Sequence, residues 1–410
     1  MTKIKRSKIA IPHPKFFIPR LSIELIGGII IFVLAASLFI WRLASLTYGQ
    51  INYHEHTTNL IIANQTSWWK IILNINGPYY LTLYVFRLIS HDLVLFRLVS
   101  VMIGILTAVV IYWLVSQWHG YKIGLMTAAI YITDFGVLSI TRQASPLSAS
   151  LLIPLGLLAS MMAINRWQDY RGLLALSITT GLLLYIPGAL WLVLAISVLN
   201  IKKLKIIWRD LSIRQRLIIT TSLIILLIPL GYQLGHNYTN HQLAYWLGYG
   251  LNGKITALKS YGLNLIKTPS SLFFYSTTLP ASLSLGHLPL LPIAITVLSL
   301  IGFYCYITRL SNYRWLNIIF LFVISWVVIS FGVLSVYVLL PLAAIAAGTG
   351  LAFMLREWYS VFPRNPYARY AGISLIIAIV AFTCIFSLRS YFVAWANDPA
   401  TQINYSFRLH

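Results

Sequence analysis

Only eight of the 410 residues are acidic, and a carboxylate in or beside hydrocarbon is costly unless it has a task. Glu55, between His54 and His56, opens a long segment after the first apolar run. Held near a membrane surface, it could take a proton from an acceptor hydroxyl or amine as a general base; an exposed, merely solvated loop glutamate fits the same sequence. The two histidines lack the His-Glu-x-x-His spacing of a helical zinc site. In an extended segment they share one face with Glu55 on the other, so no metal ligand set is read here. Asp134, inside the third apolar run, is either a functional intramembrane carboxylate or a polar contact between helices, with Thr133, Ser139 and Thr141 close by. Arg142, beside Gln143 and Ser145, stands where that run ends; its guanidinium either grips phosphate oxygens as a fork or snorkels to the interface. Lys254, Lys259 and Lys267 are interleaved with Tyr245, Trp246, Tyr249, Tyr261, Phe273, Phe274 and Tyr275. That mixture suits a headgroup-level helix with lysines toward lipid phosphates, or an interfacial aromatic belt without catalytic meaning.

The elements that must position these residues are membrane helices. The chain is 59% hydrophobic and 9% charged, with a mean hydropathy of +0.80, against about 25% charged residues in soluble domains. An all-α, polytopic transmembrane bundle follows, with about eleven spans at 21–44, 94–116, 122–141, 147–165, 172–185, 187–200, 217–235, 287–308, 315–332, 334–355 and 370–391. The fifth and sixth are short and broken at Pro187-Gly188. A net charge of +22 would suggest nucleic acid in a soluble protein; here cytoplasmic loops account for it and no nucleic-acid partner is expected. With the N-terminus in the cytoplasm of a plasma-membrane protein, 20 of the 30 Lys and Arg fall inside. Cys305 and Cys384 lie in apolar runs and read as small hydrophobes.

This layout gives a basic N-terminus (1–20), a membrane domain (21–391) and a short outer tail (392–410). Two outer segments, 45–93 and 236–286, are too long for turns. Within the first, 79–90 is apolar but about 12 residues long, which suits an interfacial or re-entrant helix rather than a span.

Order and motifs together resemble the glycosyltransferase C (GT-C) superfamily, and within it the protein O-mannosyltransferase and lipid A aminoarabinose transferase group. Tyr53-His54-Glu55 corresponds to that group's Asp-Glu loop, Gly77-Pro78-Tyr79-Tyr80-Leu81 to its Pro-Pro-Leu-Tyr-Tyr segment, and Arg97-Leu98-Val99-Ser100 to its Arg-Leu-x-Ser helix. Thr141-Arg142 resembles the Ser-Arg of the next outer loop, Val336-Tyr337 to Pro341 the later Arg-Tyr helix, and Tyr391-Phe392 with Trp395-Ala396 a tail of bacterial members. The resemblance implies a membrane glycosyltransferase that moves a sugar from a polyprenyl-phosphate donor to a glycan, lipid or protein acceptor on the outer face. It places Glu55 and His54 in the catalytic loop, Tyr79 and Tyr80 in the segment that follows, and Arg142, the candidate contact to the donor phosphate, in the second outer loop; His56 and Asp134 are further candidates from the residues alone. Lys254, Lys259 and Lys267 match no motif and are assigned to phosphate on physical grounds alone. A divalent cation is left open. The chain departs from the pattern at His54, where the group has its usual base Asp; at Ser145-Pro146, where an acidic residue is expected; and at Val336, which replaces an Arg. A non-catalytic relative that binds lipid-linked glycan, or a flippase, is the alternative. If Glu55 is the base, Glu55→Gln is expected to abolish transfer and leave expression intact.

Overall fold

The computed structural model describes residues 23–64, 67–236, 240–248, 258–275, 283–308 and 313–408. Its helices, in chain order, begin with α1 (Ile23–Ile40), a two-residue strand β1 (Ile51–Asn52), and the short helices α2 (Tyr53–Ala63), α3 (Trp68–Ile72) and α4 (Gly77–Ile89). The long α5 (Leu93–His119) leads to α6 (Tyr121–Thr133) and α7 (Phe135–Thr141), then α8 (Leu152–Trp167), α9 (Tyr170–Leu183), α10 (Ala189–Leu199) and α11 (Ile201–Asp210). The rest are α12 (Ile213–His236), α13 (Asn240–Trp246), α14 (Leu258–Phe273), α15 (Ile293–Ile307), α16 (Tyr313–Ser330), α17 (Leu339–Val361), α18 (Pro366–Arg389), α19 (Pro399–Asn404) and a strand β2 (Tyr405–Phe407).

Each expected span falls on one of these helices or, at 122–141, on the pair α6 and α7, because in hydrocarbon only a helix satisfies every backbone polar group within one segment. Among the described residues six helices are long and apolar enough to cross a membrane, and seven if α6 and α7 count as one span bent by 62°. The chain is a multi-pass membrane protein. α9, α10, α15 and α16 fall short of that measure, so eleven full crossings do not follow from length and composition. The apolar pattern is inverted relative to a soluble bundle. α1 buries Gly27, Ile31, Ala35 and Phe39 at four-residue spacing, while Ile29, Phe32 and Val33 stay exposed.

The core sits on α5, α6, α15 and α17. α17 carries a run of small residues, Ala343-Ala344-Ile345-Ala346-Ala347-Gly348-Thr349-Gly350. Gly302 and Gly350 let α15 and α17 touch backbone to backbone, since a Cβ at either would collide with the carbonyls of Ala346 and Leu298 respectively. Between α9 and α10, Gly188 adopts φ +76°, and an added Cβ would meet the Val333 carbonyl at 2.7 Å, so the Pro187-Gly188 break is real and admits no other residue easily.

The bundle has two distinct faces. Tyr112, late in α5, donates to the Glu24 carbonyl at 2.8 Å, which puts the start of α1 and the end of α5 together with the basic loops. The other face gathers the end of α1, α2, the start of α5 and the chain's C-terminus. There α18 passes into a π-helical turn, Ser390–Trp395, and the chain folds back so that β2 pairs antiparallel with β1, Ile51 opposite Phe407 and Asn52 opposite Tyr405. The tail is thus part of the fold at this face.

Candidate active site

The segment after β1 is helical rather than extended, and the cause is local. Asn52 and Glu55 form a capping box: Glu55 N donates to Asn52 Oδ1 at 2.9 Å, and Asn52 N donates to Glu55 Oε2 at 3.2 Å. In a helix His54, Glu55 and His56 fan around the axis instead of alternating, which corrects the extended reading. Glu55 is also fully buried rather than solvated.

What buries it is Arg97, in the second turn of α5. Its Nε and Nη2 donate to Glu55 Oε1 and Oε2 at 2.7 and 2.8 Å, a bidentate pair with both side chains inaccessible to water. Its remaining N–H groups reach the Leu43 carbonyl (2.7 Å), Thr47 Oγ1 (3.0 Å) and the Gln50 carbonyl (3.0 Å). Ala144 N donates to Glu55 Oε1 at 2.9 Å. All five guanidinium donors and about four carboxylate lone pairs are therefore used. In this arrangement Glu55 has no lone pair for a substrate proton. It ties the ends of α1 and α5 and the loop after α7 to its own helix.

From this pair a chain of rings and cations runs across the face. The Arg97 guanidinium lies 6.0 Å from the Tyr405 ring centre, Tyr405 meets Trp395 edge-on at 5.7 Å, and Trp395 stacks on Tyr391 at 4.8 Å. The π-helical turn presents Tyr391 and Phe392 to Arg142, whose guanidinium sits 5.3 and 4.8 Å from their ring centres. Arg142 Nη1 and Nη2 donate to the Leu38 and Trp41 carbonyls, both at 2.8 Å, closing the C-terminal end of α1. Its Nε is buried without a hydrogen bond. Arg142 and Glu55 thus belong to one cluster.

The other expected residues divide. His54 is half-buried beside Glu55, and burial lowers its pKa from 6.5, an effect opposed by the Glu55 charge. His56 stacks on Phe407 of the tail at 4.5 Å. Tyr79 is buried and shares a hydrogen bond with Ser100 at 2.9 Å; Tyr80 is buried beside it. Both shape the packing of α4 on α5. Asp134 is apart from the cluster, at the bend between α6 and α7, where its Oδ1 accepts from Val137 N at 3.2 Å. Lys267 is exposed on α14, Lys259 lies on the same helix with its side chain outside the description, and Lys254 lies outside the described residues. Among the described residues no three His, Cys, Asp or Glu side chains gather to hold a metal ion. Sequence reasoning missed the role of Arg97. Its signal was an arginine inside an apolar run, which demands a partner.

Two cavities adjoin the cluster. One of about 180 Å³ is lined by Thr47, Gln50, Trp395, Thr401, Gln402 and Tyr405. The other, about 450 Å³, is an apolar groove between the end of α14, the loop into α15, and α18, lined by Phe273, Leu288, Phe382 and Phe386 among others. Phe135 lines this groove and meets Tyr391 edge-on at 5.9 Å, so the groove abuts the ring and cation chain.

Known structures share this architecture. ArnT from Cupriavidus metallidurans, bound to undecaprenyl phosphate, matches with a TM-score of 0.56 at 12% identity over 92% of this chain and 77% of its own. The oligosaccharyltransferase AglB from Archaeoglobus fulgidus, in complex with an inhibitory peptide and a dolichol-phosphate, matches at 0.52 and 11% over 93% and 56%. The oligosaccharyltransferase of the same organism tethered to an acceptor peptide containing the NVT sequon gives 0.52 and 13% over 95% and 56%. This chain spans just over half the length of those two. No family model and no curated protein sequence matches the chain. At these identities the likeness concerns fold, and the fold is that of the GT-C membrane glycosyltransferases, as the sequence motifs implied.

Proposed function

We propose that this protein is a membrane glycosyltransferase that takes a sugar from a polyprenyl-phosphate carrier and delivers it to an envelope glycan, lipid or protein acceptor at the face carrying His54 and Glu55. That face would be the outer one, with the N-terminus in the cytoplasm. The observation that carries this reading is the apolar groove of about 450 Å³ meeting the ring and cation chain at Phe135 and Tyr391. A prenyl tail fits the groove by its chemistry, and Arg142 lies one ring beyond the groove lining, against Tyr391. Two of the fold neighbours hold such carriers, undecaprenyl phosphate in one and dolichol-phosphate in the other.

In the reaction the acceptor oxygen attacks the anomeric carbon of the donor sugar, the bond from that carbon to the phosphate oxygen breaks, and its electron pair leaves with the phosphate. With Glu55 saturated, the proton goes to His54, whose burial favours the neutral imidazole with a free basic nitrogen. Glu55 and Arg97 then hold the helix that presents His54. The unbonded Nε of Arg142, and Lys267 on α14, the helix whose last residue Phe273 lines the groove, would supply positive charge for the leaving phosphate.

The saturation of Glu55 favours one second reading, a relative that binds lipid-linked glycan without turnover. A transfer assay separates the two. Full-length protein in lipid is given radiolabelled polyprenyl-phosphate sugars and crude envelope acceptors, with His54→Ala as comparison. Turnover by the wild type, lost in His54→Ala, supports the enzyme. Donor binding with no turnover for any sugar supports the second reading.

A further inference from the structure

The face opposite the cluster carries a second polar cavity that the glycosyltransferase reading does not use. It measures about 360 Å³ and lies where the last turns of α5 and α8 meet the start of α16. Gln117, Asn165, Arg166 and Asn317 line it with Trp118 and Met161, and no carboxylate is among its lining residues.

The hydrogen bonds around it give it a sign. Asn317 is buried, and its Oδ1 accepts from Asn200 Nδ2 at 3.1 Å. Asn165 Oδ1 accepts from Lys203 Nζ, reaching over from α11. Both amides thus have their acceptor ends engaged, by Asn200 at the junction of α10 and α11 and by Lys203 of α11, which leaves their N–H ends for the cavity. Arg166 adds a guanidinium that is exposed. A space lined by surplus donors and a cation, with no carboxylate, is receptive to an anion of tetrahedral, oxygen-rich shape. Its other wall, Leu158, Met161, Met162 and Trp118, is apolar, so the ligand has an apolar body as well. The surroundings agree: α11, Ile-Lys-Lys-Leu-Lys-Ile-Ile-Trp-Arg-Asp, buries Ile207 and exposes Lys202, Lys205 and Arg209, the pattern of a basic helix lying at a membrane surface.

We propose that this cavity binds the phosphate headgroup of an anionic phospholipid from the leaflet on the basic-loop face, with the phosphate on Arg166 and the amide donors of Asn165 and Asn317, and the start of the acyl chains along Trp118 and Met161. The site is separate from the sugar-transfer face and does not rest on that reading.

The test uses the full-length protein reconstituted in nanodiscs of phosphatidylcholine with increasing phosphatidylglycerol, followed by thermal unfolding and by native mass spectrometry of retained lipid. Phosphatidylglycerol is expected to raise the unfolding temperature and to remain bound. In Arg166→Ala, which removes an exposed side chain, the apparent affinity is expected to fall about tenfold, the value of one charge-assisted hydrogen bond. Asn165→Asp keeps the shape and the Lys203 contact but replaces the donor end with a carboxylate oxygen, and should weaken binding at least as much. Arg356→Ala, which removes a cation of the same face outside the cavity, should leave it unchanged. Equal loss in Arg356→Ala and Arg166→Ala would reduce the effect to general surface charge and overturn the site. Equal stabilisation by inorganic phosphate in pure phosphatidylcholine discs would overturn the lipid as the source of the anion.

Discussion

The two polar clusters at opposite faces of the bundle differ in how their hydrogen-bonding ledger closes. Around Glu55 and Arg97 every donor meets an acceptor inside the protein. Around Asn165 and Asn317 the acceptors are engaged and the donors are left over. A closed cluster holds structure and resists ligands; an open one is stable without its ligand and ready for it. Removing a member therefore costs differently. In the first case a buried charge is stranded, and in the second only a binding contact disappears.

The largest expected effect follows from the closed cluster. Arg97→Ala would leave the Glu55 carboxylate buried without a counterion, and Glu55→Gln would strand the guanidinium. Either should destabilise the protein by about 3–5 kcal/mol, read as a lower unfolding temperature of full-length protein in detergent. The double replacement Glu55→Leu with Arg97→Leu should cost less than either single change, because it removes both charges together. Singles that unfold at the wild-type temperature would mean that water reaches the pair, and the cluster would count as open. The sequence expectation that Glu55→Gln spares the fold is revised on the same ground.

Next comes His54, which borders the closed cluster without belonging to it. If it is the base, His54→Ala should lower transfer by about 10²–10⁴-fold. The wild-type rate should fall as pH drops through a midpoint below 6.5, since burial lowers the His54 pKa from that value. The same shift has a stability consequence. Because the unfolded histidine binds a proton more readily than the folded one, stability from this group is complete above pH 6.5 and declines as pH falls toward the folded value. An acid limb that persists unchanged in the residual activity of His54→Ala would assign the base elsewhere.

The contrast also marks what sequence could reveal. Runs of apolar residues and the Pro187-Gly188 break announced the helices, because hydrocarbon leaves the backbone one solution. The motifs around Glu55, Arg97, Arg142 and Tyr391 announced the fold. Their mutual arrangement was hidden, because Arg97 finds Glu55 across 42 residues and Tyr405 finds Asn52 across 353. The return of the tail as a strand rests on three residues, Tyr405–Phe407, too few for any periodic signal. The cavity at the basic face was hidden for a similar reason: amide orientation is set by partners on other helices.

The smallest expected effect concerns Asp134, which fits neither kind of cluster. Its Oδ1 caps α7 by accepting from Val137 N, while its Oδ2 is buried without a hydrogen bond. If capping is its whole role, Asp134→Ala should cost about 0.5–2 kcal/mol and Asp134→Asn almost nothing, because asparagine keeps the capping oxygen and places a neutral amide where the carboxylate oxygen lacked a partner. Thermal unfolding of both variants beside a transfer assay decides the matter. Unchanged stability with lost transfer in Asp134→Asn would show that the charge is used, and the unbonded oxygen would then be a functional group rather than the remainder of a helix cap at a 62° bend.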